Sequence, residues 1–323
     1  MNNNNRIHNK EYLYYNFRIT NNENIYKLVD YKETRTVPIL NNSSDYEIAV
    51  ERFTIPYSSI PIFIWKSNDL YKIKMVYNND IITKPLIYNG VNDTIYNNNG
   101  IWSYQVFIDI INIALFECFA DLKALYPALP ITKAPFITFN SKNSLMTWNI
   151  PKSYENLIKV YFNVDLYYLL VSFQAFELTI DDEQYFEMVC KDNVFNSSII
   201  DGVPFYSTKQ EYPTLSLIQN FQSIIFETDN IPVNSEQIAD QVNSIRSILT
   251  DFEPIQEQTR DNELQYFPRG PLRFYDLDSF NELRKMDLKV FWSDKQNNIY
   301  PLYINKNKIL SLKLLLRKKN YMY

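Results

Sequence analysis

Three consecutive acids, Asp181-Asp182-Glu183, are the residues whose types come nearest to a catalytic set. A carboxylate pair is the equipment of glycoside hydrolysis, one acting as acid and the other as base or nucleophile. Adjacent acids in a turn between two strands are ordinarily only solvated, and that reading is preferred here. The run Asp276-Leu277-Asp278-Ser279-Phe280-Asn281-Glu282 has the acid spacing of a calcium loop, but Phe280 stands where an oxygen ligand is needed and Asn281 where glycine is needed. A strand end followed by a single helical turn explains these acids better, with Asp278 or Ser279 as cap and Glu282 completing a capping box. His8 is the sole histidine, so one chain can build neither a histidine triad nor a multi-histidine metal site. Cys118 and Cys190 exclude a four-cysteine zinc site. Two buried free thiols are expected, with one Cys118–Cys190 bridge as the alternative. Gly90, Gly100, Gly202 and Gly270 lie too far apart for a dinucleotide fingerprint or a P-loop. The expectation is a chain that is not an enzyme and carries no cofactor and no metal.

A second chemical group is cationic. Lys306, Lys308, Lys313, Arg317, Lys318 and Lys319 gather near the C-terminus with no acid among or after them. Such a group protects the edge of a sheet, or it contacts packaged nucleic acid or an acidic partner. The formal net charge of −5 gives the whole chain no drive toward nucleic acid.

The elements that hold these groups are mostly strands. With 323 residues, 46% of them hydrophobic, the chain can bury a sizeable core. Residues 1–22 are polar and Asn-dense and read as a flexible arm, with an aromatic cluster at Tyr12–Phe17. Tyr46, Ile48 and Val50 alternate with polar residues, as do Tyr71, Ile73, Met75 and Tyr77, which is the period of a half-buried strand. A helix is predicted over about 103–124, capped by Ser103 and ended before Pro127. Its Asp109, Asn112, Glu117 and Asp121 exclude a membrane span. Asn140–Ser144 reads as a hairpin turn, and 215–226 as strand. The final strand sets Leu310, Leu312, Leu314 and Leu316 on one face. Strands at both ends and mixed character between them predict a mainly β antiparallel sandwich, interrupted by an insertion of mixed α/β but mostly β character. With so little glycine, Asn and Asp are expected to take left-handed turn positions, at residues 41–45, 77–80, 140–144 and 294–298.

Two stretches carry a family pattern. Near the C-terminus the order is "SIIFETDNIPVNSEQ", "SIRSILTDFEP", "LRFYDLDSFNELRKMDLKVFWSDKQNNIYPLYI" and "KILSLKLLLRKK"; near the N-terminus it is "YKLVDYKETRTVPILNNSSDYEIAVERFTIPYSSIPIF". Together, over roughly 23–80 and 215–319, the chain resembles the minor capsid (penton) proteins of virophages and polinton-like viruses, of the Sputnik and mavirus type. The resemblance implies a single jelly roll, placed here at 23–97 plus 212–317, with an insertion or tower at 98–211 and a basic, aromatic tail at 318–323. It implies a homopentamer at the icosahedral fivefold vertices, next to a double-jelly-roll major capsid protein, in a virion assembled in the host cytoplasm or viral factory. Leu310, Leu312, Leu314 and Leu316 then face the sandwich core. The arm and the tail residues Arg317, Lys318 and Lys319 lie toward the capsid interior, against genome or capsid protein. No membrane partner is implied. The alternative is an attachment module that binds a receptor or glycan on a host or giant-virus surface.

Overall fold

The computed structural model describes residues 11–90, 99–189, 196–219, 221–234, 236–237, 245–253, 263–267 and 270–319. The chain divides into two compact units: Met1–Ile60 with Phe221–Tyr323, and Pro61–Asn220. The first unit starts with β1 (Tyr12–Thr20), β2 (Tyr26–Leu28), β3 (Asp30–Thr34) and β4 (Tyr46–Pro56). The second unit holds β5 (Phe63–Ile64), β6 (Lys72–Tyr77), β7 (Asp80–Pro85), β8 (Gly100–Ile101), α1 (Tyr104–Leu125), β9 (Phe136–Asn140) and β10 (Leu145–Pro151). It continues through β11 (Lys159–Asn163), α2 (Val164–Leu169), β12 (Ala175–Ile180), β13 (Glu183–Met188), β14 (Asn196–Ile200), β15 (Val203–Lys209) and α3 (Leu215–Ile218). The first unit resumes with β16 (Phe221–Glu227), β17 (Glu236–Gln237), β18 (Ile245–Arg246), β19 (Ile248–Phe252) and β20 (Glu263–Tyr266). It ends with β21 (Tyr275–Asp276), β22 (Lys285–Asp294), β23 (Ile299–Pro301), β24 (Tyr303–Asn305) and β25 (Ile309–Lys318).

The first unit packs two antiparallel sheets. One runs β1-β25-β4-β20, with β21 also on β4; the other runs β19-β16-β22-β23, with β3 also on β22. Alternation fixes which side chains meet between them, since a strand sends every second residue to the same face. Phe53 of β4 stands 4.8 Å from the Phe226 ring of β16 and 5.2 Å from Phe252 of β19. At the other side Phe17 of β1 meets Tyr31 of β3 at 5.2 Å. Leu310, Leu312, Leu314 and Leu316 are all buried. A register shift at Lys313/Leu314 leaves Glu51 of β4 unpaired in the ladder, a bulge in an otherwise continuous pairing.

The second unit has its own core. Two sheets, β12-β13-β11-β6-β7 and β14-β15-β10-β9, lie with α1 among them. Ser103 caps α1 by accepting from the Gln105 N–H at 3.2 Å, and the helix stops at Leu125, two residues before Pro127, where an imide cannot continue it. One face of α1, with Phe107, Ile111, Leu115 and Leu122, is fully buried. Among the described residues no helix is long and apolar enough to cross a membrane.

Three expectations differ from this architecture. The chain leaves the first unit after Ile60 and returns at Phe221, not at 97/98 and 211/212. Period-2 alternation identifies β6 as a strand but cannot say which sheet it joins; it pairs with β11, inside the second unit. Residues 12–20, read as part of a flexible arm, form β1 and pair along their whole length with β25. Tyr15, Phe17 and Ile19 supply the alternation that the Asn-rich flank concealed. Residues 215–218, read as strand, form the short helix α3 before β16 begins.

The turns follow the chemistry of the left-handed region. Asn78-Asn79, Asp181-Asp182 and Asp201-Gly202 all have positive φ and join adjacent antiparallel strands, which is the demand of a two-residue hairpin turn. Ser144 and Asn297 take the same region in two other predicted turns. The stretch 41–45 instead forms a short 3-10 turn, Ser43–Asp45.

Candidate assembly surface

The cations expected at the C-terminal end of β25 are not free. Arg317 Nε donates to Glu47 of β4 at 2.6 Å, and its guanidinium lies 3.7 Å over the Phe274 ring. Lys318 pairs with Glu11 at 3.6 Å, and Lys319 with Asp276 at 2.9 Å. The Lys319 N–H also donates to the Asp45 carbonyl at 2.7 Å. Upstream, the Lys313 ammonium sits 2.8 Å from Glu51 and 4.0 Å over the Tyr14 ring. Sequence showed no acid near this run because the partners come from β4, β21 and the residue before β1, distant in sequence and adjacent in the sheet. Among the described residues the cations of the group without an acid partner are Lys306 and Lys308, exposed in the turn between β24 and β25.

The acids flagged for chemistry are likewise engaged. Asp181 and Asp182 form the β12–β13 turn, and Asp181 pairs with Lys74 at 3.6 Å. Glu183 accepts from the Tyr185 hydroxyl at 2.8 Å and pairs with Lys72 at 3.5 Å. The Tyr185 hydrogen bond, then Lys72, hold the Glu183 carboxyl below its usual range, whereas a catalytic acid needs that value raised. The calcium-like run does not close: Asp276 belongs to β21 and meets Lys319, and no helical turn follows at 278–282. Among the described residues no group of three or more His, Cys, Asp or Glu is placed to hold a metal ion. Cys118 is a buried free thiol, its pKa pushed up to about 12 chiefly by burial; Cys190 lies outside the described residues.

A cluster that sequence reasoning missed joins the two sheets of the first unit at one edge. Tyr15 of β1 donates to Glu33 of β3, and Tyr31 donates to the same carboxylate oxygen at 2.6 Å. Arg35 Nε donates to the other oxygen at 2.8 Å. The two tyrosine hydroxyls, then Arg35, lower the Glu33 pKa to about 2. Burial and then the Glu33 anion raise the pKa of both Tyr15 and Tyr31. The only sequence signal was Tyr31 and Glu33 at alternate positions of β3, with Arg35 continuing the alternation just past its end. A cavity of about 440 Å³ opens beside this cluster, with Leu13, Tyr14 and Ile39 in its wall. Next to it Tyr12, Leu13 and Tyr14 are all exposed. Among the described residues β1 pairs with β25 alone, so its outer edge carries unpaired backbone groups. Lysine, proline and bulges are the usual guards of such an edge, and YLYYNFRIT has none of them in its sequence.

Apart from Lys306 and Lys308, the ionic groups described above pair within the chain's own fold, and the β1 edge with its exposed aromatics is surface open to other molecules. That is the chemistry of a structural building block. Within that class, the chain belongs to the Sputnik minor capsid protein V18/19 family, whose family model matches residues 13–82 and 72–318. Structural protein V19 of Sputnik virophage is 30% identical over 124 residues, which is 36% of this chain and 57% of that relative. The chain thus matches less than two thirds of that curated relative's length. A chain in the cryo-EM structure of the Sputnik virophage superposes with a TM-score of 0.76 at 24% identity, over 95% of this chain and 98% of that one. The mavirus penton protein superposes with a TM-score of 0.70 at 18% identity, over 96% of this chain and all (100%) of that one. The fold is that of these capsid components: mainly β and penton-like. The relatives are structural proteins, not enzymes.

Proposed function

We propose that the chain is a penton-type minor capsid protein whose first unit is a single jelly roll and whose second unit is an insertion in it. The strand order carries this reading. Lettered B to I along the chain, β1, β3, β4, β16, β19, β20, β22 and β25 give sheets ordered B-I-D-G and C-H-E-F. That is the eight-stranded, double Greek-key order of a jelly roll. The second unit enters between strands D and E.

A sandwich of this kind has two unlike flanks, one edged by β1 and β3 and the other by β19 and β20. Joining unlike flanks is a heterologous contact, and it closes into a ring of five when each step turns by about 72°. On this reading five chains occupy a fivefold vertex and abut the major capsid protein of the shell, in particles assembled in the host cytoplasm. Arg317, Lys318 and Lys319 fasten β25 to its own sheet, and Lys306 and Lys308 are the cations left for an external anionic partner. Native mass spectrometry of gently dissociated virions tests the stoichiometry. A species of five chains is expected; release only as a trimer or dimer overturns the pentamer.

A further inference from the structure

We propose that the sheet β1-β25-β4-β20 continues from one copy of the chain into the next, with β1 pairing antiparallel to β20 of the neighbouring copy. The proposal rests on the heterologous ring described above and names the contact that closes it.

Both outer edges of this sheet are open. Among the described residues β1 pairs with β25 alone and β20 with β4 alone. Each edge therefore carries backbone N–H and C=O groups without a strand partner, and such a row is a template for another strand. A cavity of about 440 Å³ borders Leu13, Tyr14, Tyr15 and Asn16, which leaves room beside β1 for a strand to enter. Direction agrees as well. Each neighbouring pair along β1-β25-β4-β20 is antiparallel, so β20 runs opposite to β1. A rotation about an axis along the strands preserves their direction. The β1 edge of a second copy then meets β20 as an antiparallel partner.

Side-chain chemistry selects the register. A slip of one residue turns buried side chains outward, so only alternate registers are open. Tyr15, Phe17 and Ile19 are the buried residues of β1, and Leu264 that of β20. Among the described residues the exposed Arg18 has no acid partner and the exposed Glu263 no cation partner. Setting Arg18 opposite Glu263 places Leu264 against Phe17, Gln265 against Asn16, Tyr266 against Tyr15 and Phe267 against Tyr14. Core side chains then meet core side chains, and amide meets amide. The rings of Tyr14 and Phe267, 50% and 55% exposed in the single chain, cover each other. Opposite charges and aromatic pairs across strands are stabilising, and like charges directly opposed are destabilising. A lone arginine on the β1 edge thus disfavours strands that lack an acid at this position. With four residues in β20 each junction is short, and ring closure makes the last junction intramolecular.

The test uses the full-length chain in a Cys190→Ser background, with Cys118 buried. Directly opposed residues have Cβ atoms about 4.5–5.5 Å apart. Asn16→Cys combined with Gln265→Cys is therefore expected to form intermolecular disulfides under mild oxidation, as a ladder that stops at five chains on a non-reducing gel. Tyr12→Cys combined with Gln265→Cys, displaced by about 13 Å along the strand, should link at least tenfold less. Charge reversal gives an independent reading by analytical ultracentrifugation. Arg18→Glu or Glu263→Arg alone should raise the concentration for half-assembly at least threefold. The two together should restore it to within twofold of the parent, with melting temperatures within a few degrees throughout. Absence of the 16–265 link, links between residues 16 of two copies, or reversals that do not rescue each other would overturn the strand pairing. Pentamers seen by native mass spectrometry beside any of these would leave the pentameric reading standing. A 16–265 link in closed rings of another size would uphold the pairing and overturn the pentamer.

Discussion

If Arg317 fastens β25 to its sheet, removing Glu47 must destabilise the first unit. The two side chains are 28% and 20% exposed, and the contact is a charge-assisted hydrogen bond of 2.6 Å with Phe274 stacked against the guanidinium. Hydrogen bonds to charged groups contribute about 1.5–3 kcal/mol, and partial exposure discounts the pair toward the lower part of that range. A double-mutant cycle of Glu47→Ala and Arg317→Ala should therefore show a coupling energy of about 1–2 kcal/mol. Urea unfolding followed through Trp292 fluorescence reads it, because Trp292 lies in the first unit and stacks on Tyr300 at 4.5 Å. The other three tryptophans, Trp65, Trp102 and Trp148, lie in the second unit and would be replaced by Phe in all four proteins. The coupling should persist at high salt, since partly buried pairs are weakly screened. Additive effects, with coupling below about 0.3 kcal/mol, would refute the reasoning and return Arg317 to the role of an outward contact.

Phe53→Ala removes the ring at the centre of the sandwich and should cost about 3–5 kcal/mol, seen as a lower urea midpoint for the first unit. The Glu33 pKa is depressed from 4.5 to about 2, so its contribution is full above the unfolded value and is lost as pH falls from there toward 2. Stability measured between pH 5 and 2.5 should therefore decline less steeply in Glu33→Gln than in the parent. Asn79→Gly completes an Asn-Gly pair in a turn where φ is 71° and should raise stability by about 0.5 kcal/mol; a loss of 1 kcal/mol would contradict the turn assignment. In a Cys190→Ser background, Cys118 should resist a thiol reagent at pH 8 until urea unfolds the chain, since burial holds its pKa near 12.

Much of the frame was legible because it rests on local periodicity. The Leu310–Leu316 alternation, the Ser103 cap, the helix end before Pro127 and the Asn and Asp turns are all read within a few residues. What failed needed information from distant chain. The alternation of β6 was plain, but its partner β11 lies far along the sequence, so the expected boundary at 97/98 differs from the division between the two units after Ile60. β1 was missed because its buried Tyr15, Phe17 and Ile19 are interleaved with exposed aromatic and polar residues next to an Asn run. The basic run looked free because Glu47, Glu11 and Asp276 reach it only through the sheet. The Tyr15–Glu33 link joins strands of opposite sheets, and no spacing rule announces such a pair.

The most direct measurement is a cryo-EM reconstruction of the virion that contains this chain, with its two units fitted separately into vertex density. The account predicts five copies around each fivefold axis, with the β1/β3 flank of one copy against the β19/β20 flank of the next. Density for the chain away from the fivefold axes, or contacts made by like flanks across a twofold axis, would contradict it.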